Sequence, residues 1–110
     1  MELVPVEKTM LVSASSPVGK LGSAIAHSVY GGIHVELRAI GAGAVNQACK
    51  AIAVARRYVE PQAVDILVRV GFSDVDLPDK EVTALTFEII VDRGQYGPDG
   101  SRAGDGAVRA

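Results

Sequence analysis

Residues 40–57, IGAGAVNQACKAIAVARR, decide how this chain is read. Ile40 closes an alternating segment, Gly41-Ala42-Gly43 makes a tight turn, and an alanine-rich helix is predicted from about residue 44 to 59, ending before Pro61. A turn of this kind leaves backbone N–H groups free at a helix start, which suits an anion. Asn46, Lys50 and Arg57 lie at i, i+4 and i+11, so they share one stripe of the helix, a surface suited to phosphate. The same residues also serve a purely structural purpose, with glycines for the turn and alanines for close packing. Val45, Ala48, Cys49, Ile52, Ala55 and Arg56 form the stripe expected to face the core, which makes Cys49 a small buried hydrophobe. Ala51, Val54 and Tyr58 form a second apolar strip. A helix apolar on two sides is buried on two sides. In so small a domain the extra side is expected to meet another subunit, so Ala51, Val54 and Tyr58 are the candidate oligomer contacts.

On the N-terminal side, residues 10–14 (MLVSA) read as a first strand with a nearly continuous apolar run. Ser16 is the expected N-cap and Pro17 the first residue of a helix that runs to Tyr30 and ends at Gly31-Gly32. Val18, Leu21, Ile25 and Val29 fall on its core face; Lys20, Ser23 and His27 fall on the other. Residues 33–40 then alternate, with Ile33, Val35, Leu37 and Ala39 inward and His34, Glu36 and Arg38 outward. This is a β-α-β unit with parallel strands and a right-handed crossover.

On the C-terminal side, residues 64–72 form a third strand, with Val64, Ile66, Val68 and Val70 inward and Asp65 and Arg69 outward. Residues 73–80 (SDVDLPDK) read as a polar turn with its apex at Pro78-Asp79. Residues 81–92 form a fourth strand, antiparallel to the third. The order β-α-β-α-β-β predicts a two-layer α/β sandwich, with a mixed four-stranded sheet and both helices on one face. His34, Glu36, Arg38, Asp65, Arg69, Thr86 and Glu88 populate the other face, where cross-strand ion pairs in water are expected. Residues 1–92 make the domain, with a short arm over residues 1–8. Residues 93–110 are rich in glycine and polar side chains, and read as a flexible tail.

Composition narrows the function. A net charge of −2 argues against a protein that binds nucleic acid through overall basicity, although a local basic patch is compatible with it. One cysteine cannot form an internal disulfide, so nothing points to an oxidising compartment. The start of the chain carries Glu2 and Glu7 without an apolar core, unlike a signal peptide, and no apolar run is long enough to span a bilayer. A cytoplasmic protein without membrane contact is expected. His27 and His34 lack metal-ligand spacing, and Asp74, Asp76, Asp79 and Glu81 lack the glycine and terminal glutamate of a calcium loop. No nucleophile–base pair or paired-carboxylate motif is present, so no enzyme, cofactor, metal or small-molecule substrate is expected.

The block AIGAGAVNQACKAIAVARR, preceded by the strand-to-helix segment LVSASSPVGKLGSAIAH, closely resembles the stage V sporulation protein S (SpoVS) family, with the similarity covering residues 10–92. That family in turn resembles the Alba-like nucleic-acid-binding fold. The resemblance implies a dimer or tetramer that binds DNA or RNA and acts in sporulation or developmental regulation. By position it implies Lys20 at the first helix, then Gly41, Ala42, Gly43 and Asn46 at the turn before the second, with Lys50 just beyond. It also implies the hairpin turn at residues 72–81. That turn carries Asp74, Asp76, Asp79 and Glu81 against Lys80 alone, so it repels phosphate, and insertion of the hairpin into a groove is not expected. The alternative is an oligomeric protein-interaction adaptor that keeps the fold without binding nucleic acid, which the acidic hairpin and sparse lysines favour.

Overall fold

The computed structural model describes residues 5–93, so residues 1–4 of the arm and 94–110 of the tail lie outside the described residues. The elements are β1 (Lys8–Val12), α1 (Val18–Tyr30), β2 (Val35–Ala39), α2 (Ala42–Val59), a 3-10 turn (Glu60–Gln62), β3 (Asp65–Leu77) and β4 (Lys80–Asp92). They form one sheet in the order β1-β2-β4-β3, with β1 parallel to β2 and the other pairings antiparallel. Both helices pack on one face, as the apolar stripes require. Ile25 and Val29 of α1, Ala48 and Ala55 of α2, and Val35 and Leu37 of β2 meet in the core.

The first strand sits two residues earlier than its apolar run suggests. Ser13 leaves the sheet because its N–H donates to Ser16 Oγ (2.9 Å), while Ser16 N–H donates to Ser13 O (3.1 Å), closing a turn. The Ser16 hydroxyl is therefore spent backwards and does not cap α1, and Pro17 takes the N-cap position. At the other end Gly31 stays right-handed and Gly32 (φ +72°) is the left-handed residue. Arg93, just after β4, donates to Val29 O (3.2 Å) at the same helix end.

Four further expectations change. The polar run at residues 73–77 is strand, because each residue finds a register partner on β4, and only Pro78-Asp79 turns. The hairpin thus continues past the helix layer, which leaves Val70 57% exposed instead of inward. Asp65 is 2% exposed instead of solvated, because Arg56 Nε reaches its Oδ1 at 2.6 Å. Arg56 thereby ties α2 to the start of β3. Cys49 is exposed instead of buried, because α2 turns Ala48, not its neighbour, into the core. The open sheet face forms two contacts across strands, as expected, His34 Nε2 to Glu88 Oε2 (2.8 Å) and, more loosely, Arg69 Nη1 to Glu88 Oε1 (3.7 Å), whereas Arg38 Nε pairs with Glu36 Oε1 (2.8 Å) within β2 itself.

Gly41 fixes the entry to α2. Its φ of +89° with ψ of 159° belongs to a region essentially closed to residues with a Cβ. Gly41→Ala is expected to cost about 1–3 kcal/mol of stability, read as a lower urea midpoint at unchanged m-value.

Candidate functional site

Two helix starts stand side by side at the C-terminal ends of β1 and β2, where open α/β sheets place ligands. The first intrahelical bonds are Leu21 N–H to Pro17 O and Val45 N–H to Gly41 O, each 3.0 Å. Neither helix start has a side-chain cap, and neither first turn contains an acidic residue. The backbone amides ahead of Leu21 and Val45 therefore present uncompensated positive ends of two helix dipoles.

The two starts are held together by contacts the sequence reading did not identify. Gln47 Nε2 donates to Ser16 O at 2.9 Å, bridging α2 to the turn before α1. Gly43 lies inside the first turn of α2, and a Cβ there would sit 2.8 Å from Ala14 Cβ. The second glycine of the Gly41-Ala42-Gly43 turn thus permits close approach, while the first supplies the backbone angle. A polar Gln47 on a helix face otherwise devoted to packing was the available signal.

The predicted site residues are placed as follows. Ala42 and Gly43 open α2, two residues earlier than expected for a helix starting at residue 44, and Gly41 precedes them. Lys20 and Asn46 are exposed near the two starts, and Lys50 is exposed one turn beyond Asn46. Asn46 Nδ2 makes a long contact of 3.4 Å to Gln47 Oε1, and the residue is exposed. Arg57 is exposed further along the same stripe. Among the described residues, Lys20, Lys50 and Arg57 take part in no ion pair.

Charge is sorted between the layers. None of the 13 acidic residues of the chain falls within α1 or α2, which carry Lys20, Lys50, Arg56 and Arg57. The acids lie in the sheet, the hairpin and the segments outside the helices. A net charge of −2 therefore coexists with a positive outer surface on the helix layer.

The candidate oligomer contacts divide. Ala51 is fully buried within the chain and has no surface to offer a second subunit, because α1 approaches α2 at Gly22. Val54 fills the space over Gly22 and belongs to the same helix–helix contact. Tyr58 remains 47% exposed. Further exposed apolar residues lie beside the opposite flank of α2. Cys49, Ile52 and Arg56 share a stripe there, and the Arg56–Asp65 pair places that stripe beside β3. Val70 (57% exposed) and Phe72 (80% exposed) extend along the helix-side face of β3.

A family model for stage V sporulation protein S matches residues 8–92, from the first residue of β1 to the last of β4. The chain belongs to the SpoVS family. Among solved structures, Alba from Thermoplasma volcanium shares the fold, with a TM-score of 0.53 and 14% identity over 77% of this chain and 99% of that one. The SpoVS domain here is thus an Alba-like two-layer sandwich. No helix among the described residues is long and apolar enough to cross a membrane.

Proposed function

We propose that this SpoVS-family chain is a small oligomeric nucleic-acid-binding protein. It grips backbone phosphates on the outer surface of its helix layer, reads little sequence, and acts in sporulation or developmental regulation. The observation that carries this reading is the acid-free pair of helices with two uncapped starts side by side, flanked by Lys20, Lys50 and Asn46. Free amides and lysines suit phosphate oxygens, and they carry no information about base identity. The Alba-like resemblance of the sequence points to the same partner. The acidic hairpin tip stays away from the phosphates. The experiment is fluorescence anisotropy of labelled duplex DNA and RNA across a salt series. Affinity is expected to fall linearly in log–log form and to be nearly independent of sequence. An absence of binding at 50 mM salt, a level where phosphate contacts are about at their strongest in routine assays, overturns the proposal.

The oligomer in this reading uses the α2–β3 flank. Phe72 and Val70 leave an apolar strip in water beside Cys49 and Ile52, and such strips mark association surfaces. Phe72→Arg is expected to convert the oligomer to monomer in sedimentation velocity, at unchanged far-UV circular dichroism. The exposed Cys49 gives an independent check, since a short bismaleimide is expected to cross-link wild type and not the variant. The protein-interaction adaptor remains the second reading, favoured by the acidic residues Asp74, Asp76, Asp79 and Glu81 on the projecting hairpin. It predicts the same oligomer without nucleic-acid binding.

A further inference from the structure

We infer that Tyr30 and Tyr58 form a stacking platform for unpaired bases at the far end of the cationic helix surface, so that the protein prefers single-stranded nucleic acid. The inference rests on the reading of the helix layer as a phosphate surface and adds which strand state it takes. Tyr30 is 54% exposed and Tyr58 is 47% exposed, although the chain has only two phenylalanines, three tyrosines and no tryptophan. Large rings are scarce in this protein, and two of them lie half in water next to each other.

Their geometry is fixed. Tyr30 Oη donates to Tyr58 O at 2.9 Å, which holds the ring across the C-terminal ends of both helices and satisfies its one donor. Tyr30 also ends the outward row Lys20, Ser23, His27, Tyr30 of α1, all exposed, at the spacing of one helix face. On α2 the exposed row Asn46, Lys50, Ala53, Arg57 runs alongside it and reaches Arg57, the neighbour of Tyr58. The two rows start at the uncapped helix ends and finish at the tyrosines. Ala42 to Tyr58 spans roughly 24 Å at 1.5 Å per residue, room for several nucleotides.

A helix C-terminus repels phosphate through its dipole, so this end needs cations to accept a strand. Arg57 is present there opposite the exposed Glu60, and Arg93 is bound to Val29 O at 3.2 Å. Positive charge along a track with aromatic faces at its end is the combination that holds single strands. In a duplex the bases are stacked on one another inside the helix, and the rings have nothing to receive. The lysine track serves both substrates; the tyrosines serve one.

The test compares a labelled oligo(dT) with a DNA hairpin duplex of equal phosphate number, in the full chain. The Tyr30→Leu/Tyr58→Leu variant is expected to lose about tenfold or more in affinity for the single strand and to keep its affinity for the duplex. Tyr30→Phe retains the ring and is expected to keep single-strand affinity, which separates stacking from the hydrogen bond to Tyr58. A second readout needs no ring removal. In a Tyr96→Phe background, emission from Tyr30 and Tyr58 is expected to be quenched by oligo(dT) and not by duplex. Unchanged single-strand affinity in the leucine variant, or unquenched tyrosine emission in the bound complex, overturns the platform alone. Failure of wild type to bind either nucleic acid overturns the phosphate reading and the platform with it.

Discussion

Lys20→Glu combined with Lys50→Glu is expected to lower affinity for duplex DNA or RNA by at least about 200-fold at 50 mM salt, while leaving the fold intact. The magnitude follows from counterion release. Each phosphate contact contributes a slope of roughly −0.9 to the log–log salt dependence, so between 1 M and 50 mM salt it is worth about 15-fold, and two contacts are worth about 200-fold. Glutamate adds repulsion, so this is a lower bound for one protomer, and an oligomer that uses two sites loses more. The slope itself is expected to become shallower by about two units per protomer. Both side chains are exposed and neither holds an ion pair among the described residues, so circular dichroism and melting temperature are expected to match wild type. An identical salt slope in the variant and in wild type would show that the phosphates sit elsewhere. A parallel Lys80→Glu change, at the acidic hairpin tip, is expected to leave the slope unaltered.

Gly22→Val carries the largest expected loss of stability. A Cβ at Gly22 would lie 2.6 Å from Val54 Cγ1, 2.9 Å from Val54 Cβ and 3.1 Å from Ala51 O. The first two contacts require Val54 to move, and the third is backbone, so α1 must back away from α2. Valine adds two methyl groups to a Cβ that already does not fit. Overpacking of this kind costs about 3 kcal/mol, the upper part of the usual range, because the obstacle includes main chain. For a domain of this size that is a fall in melting temperature of roughly 12–24 °C. The functional consequence goes further than stability. Separating the helices pulls Gln47 from Ser16 O and opens the gap between the two helix starts, so phosphate affinity is expected to fall even where the variant remains folded. Gly22→Ala paired with Val54→Ala is expected to recover much of the loss, since it returns the volume. A Gly22→Val protein that melts within about 2 °C of wild type would mean that the helices are not held at this contact.

Most of the architecture was legible along the chain because its signals are local. The alternation at residues 33–40 fixed which residues of β2 face the helices. Gly31-Gly32 and Pro61 ended the helices within a residue of where they end. Lys20 and Lys50 were singled out by their place relative to helix starts and by a family resemblance, and the structure leaves both exposed. What failed to read has two causes: a competing hydrogen bond within a short turn, and neighbours distant in sequence. Ser16 looks like a cap until Ser13 claims its hydroxyl. Cys49 was placed with Ala48 on the core stripe, yet only Ala48 is turned inward. Residues 73–77 are too polar for an inward-facing strand, but pairing with β4 satisfies their backbone whatever their side chains are.

The sequence by itself determined the order of elements, the two apolar helix stripes and the absence of acids from both helices, because period and composition are properties of single segments. The tertiary structure alone decided that the second apolar strip of α2 is used inside the chain. Ala51 and Val54 face α1 because Gly22 lets the helices approach, a contact between residues about thirty positions apart. It also decided how closely the two helix starts are held together, since Gln47 donates to Ser16 O and Gly43 packs against Ala14.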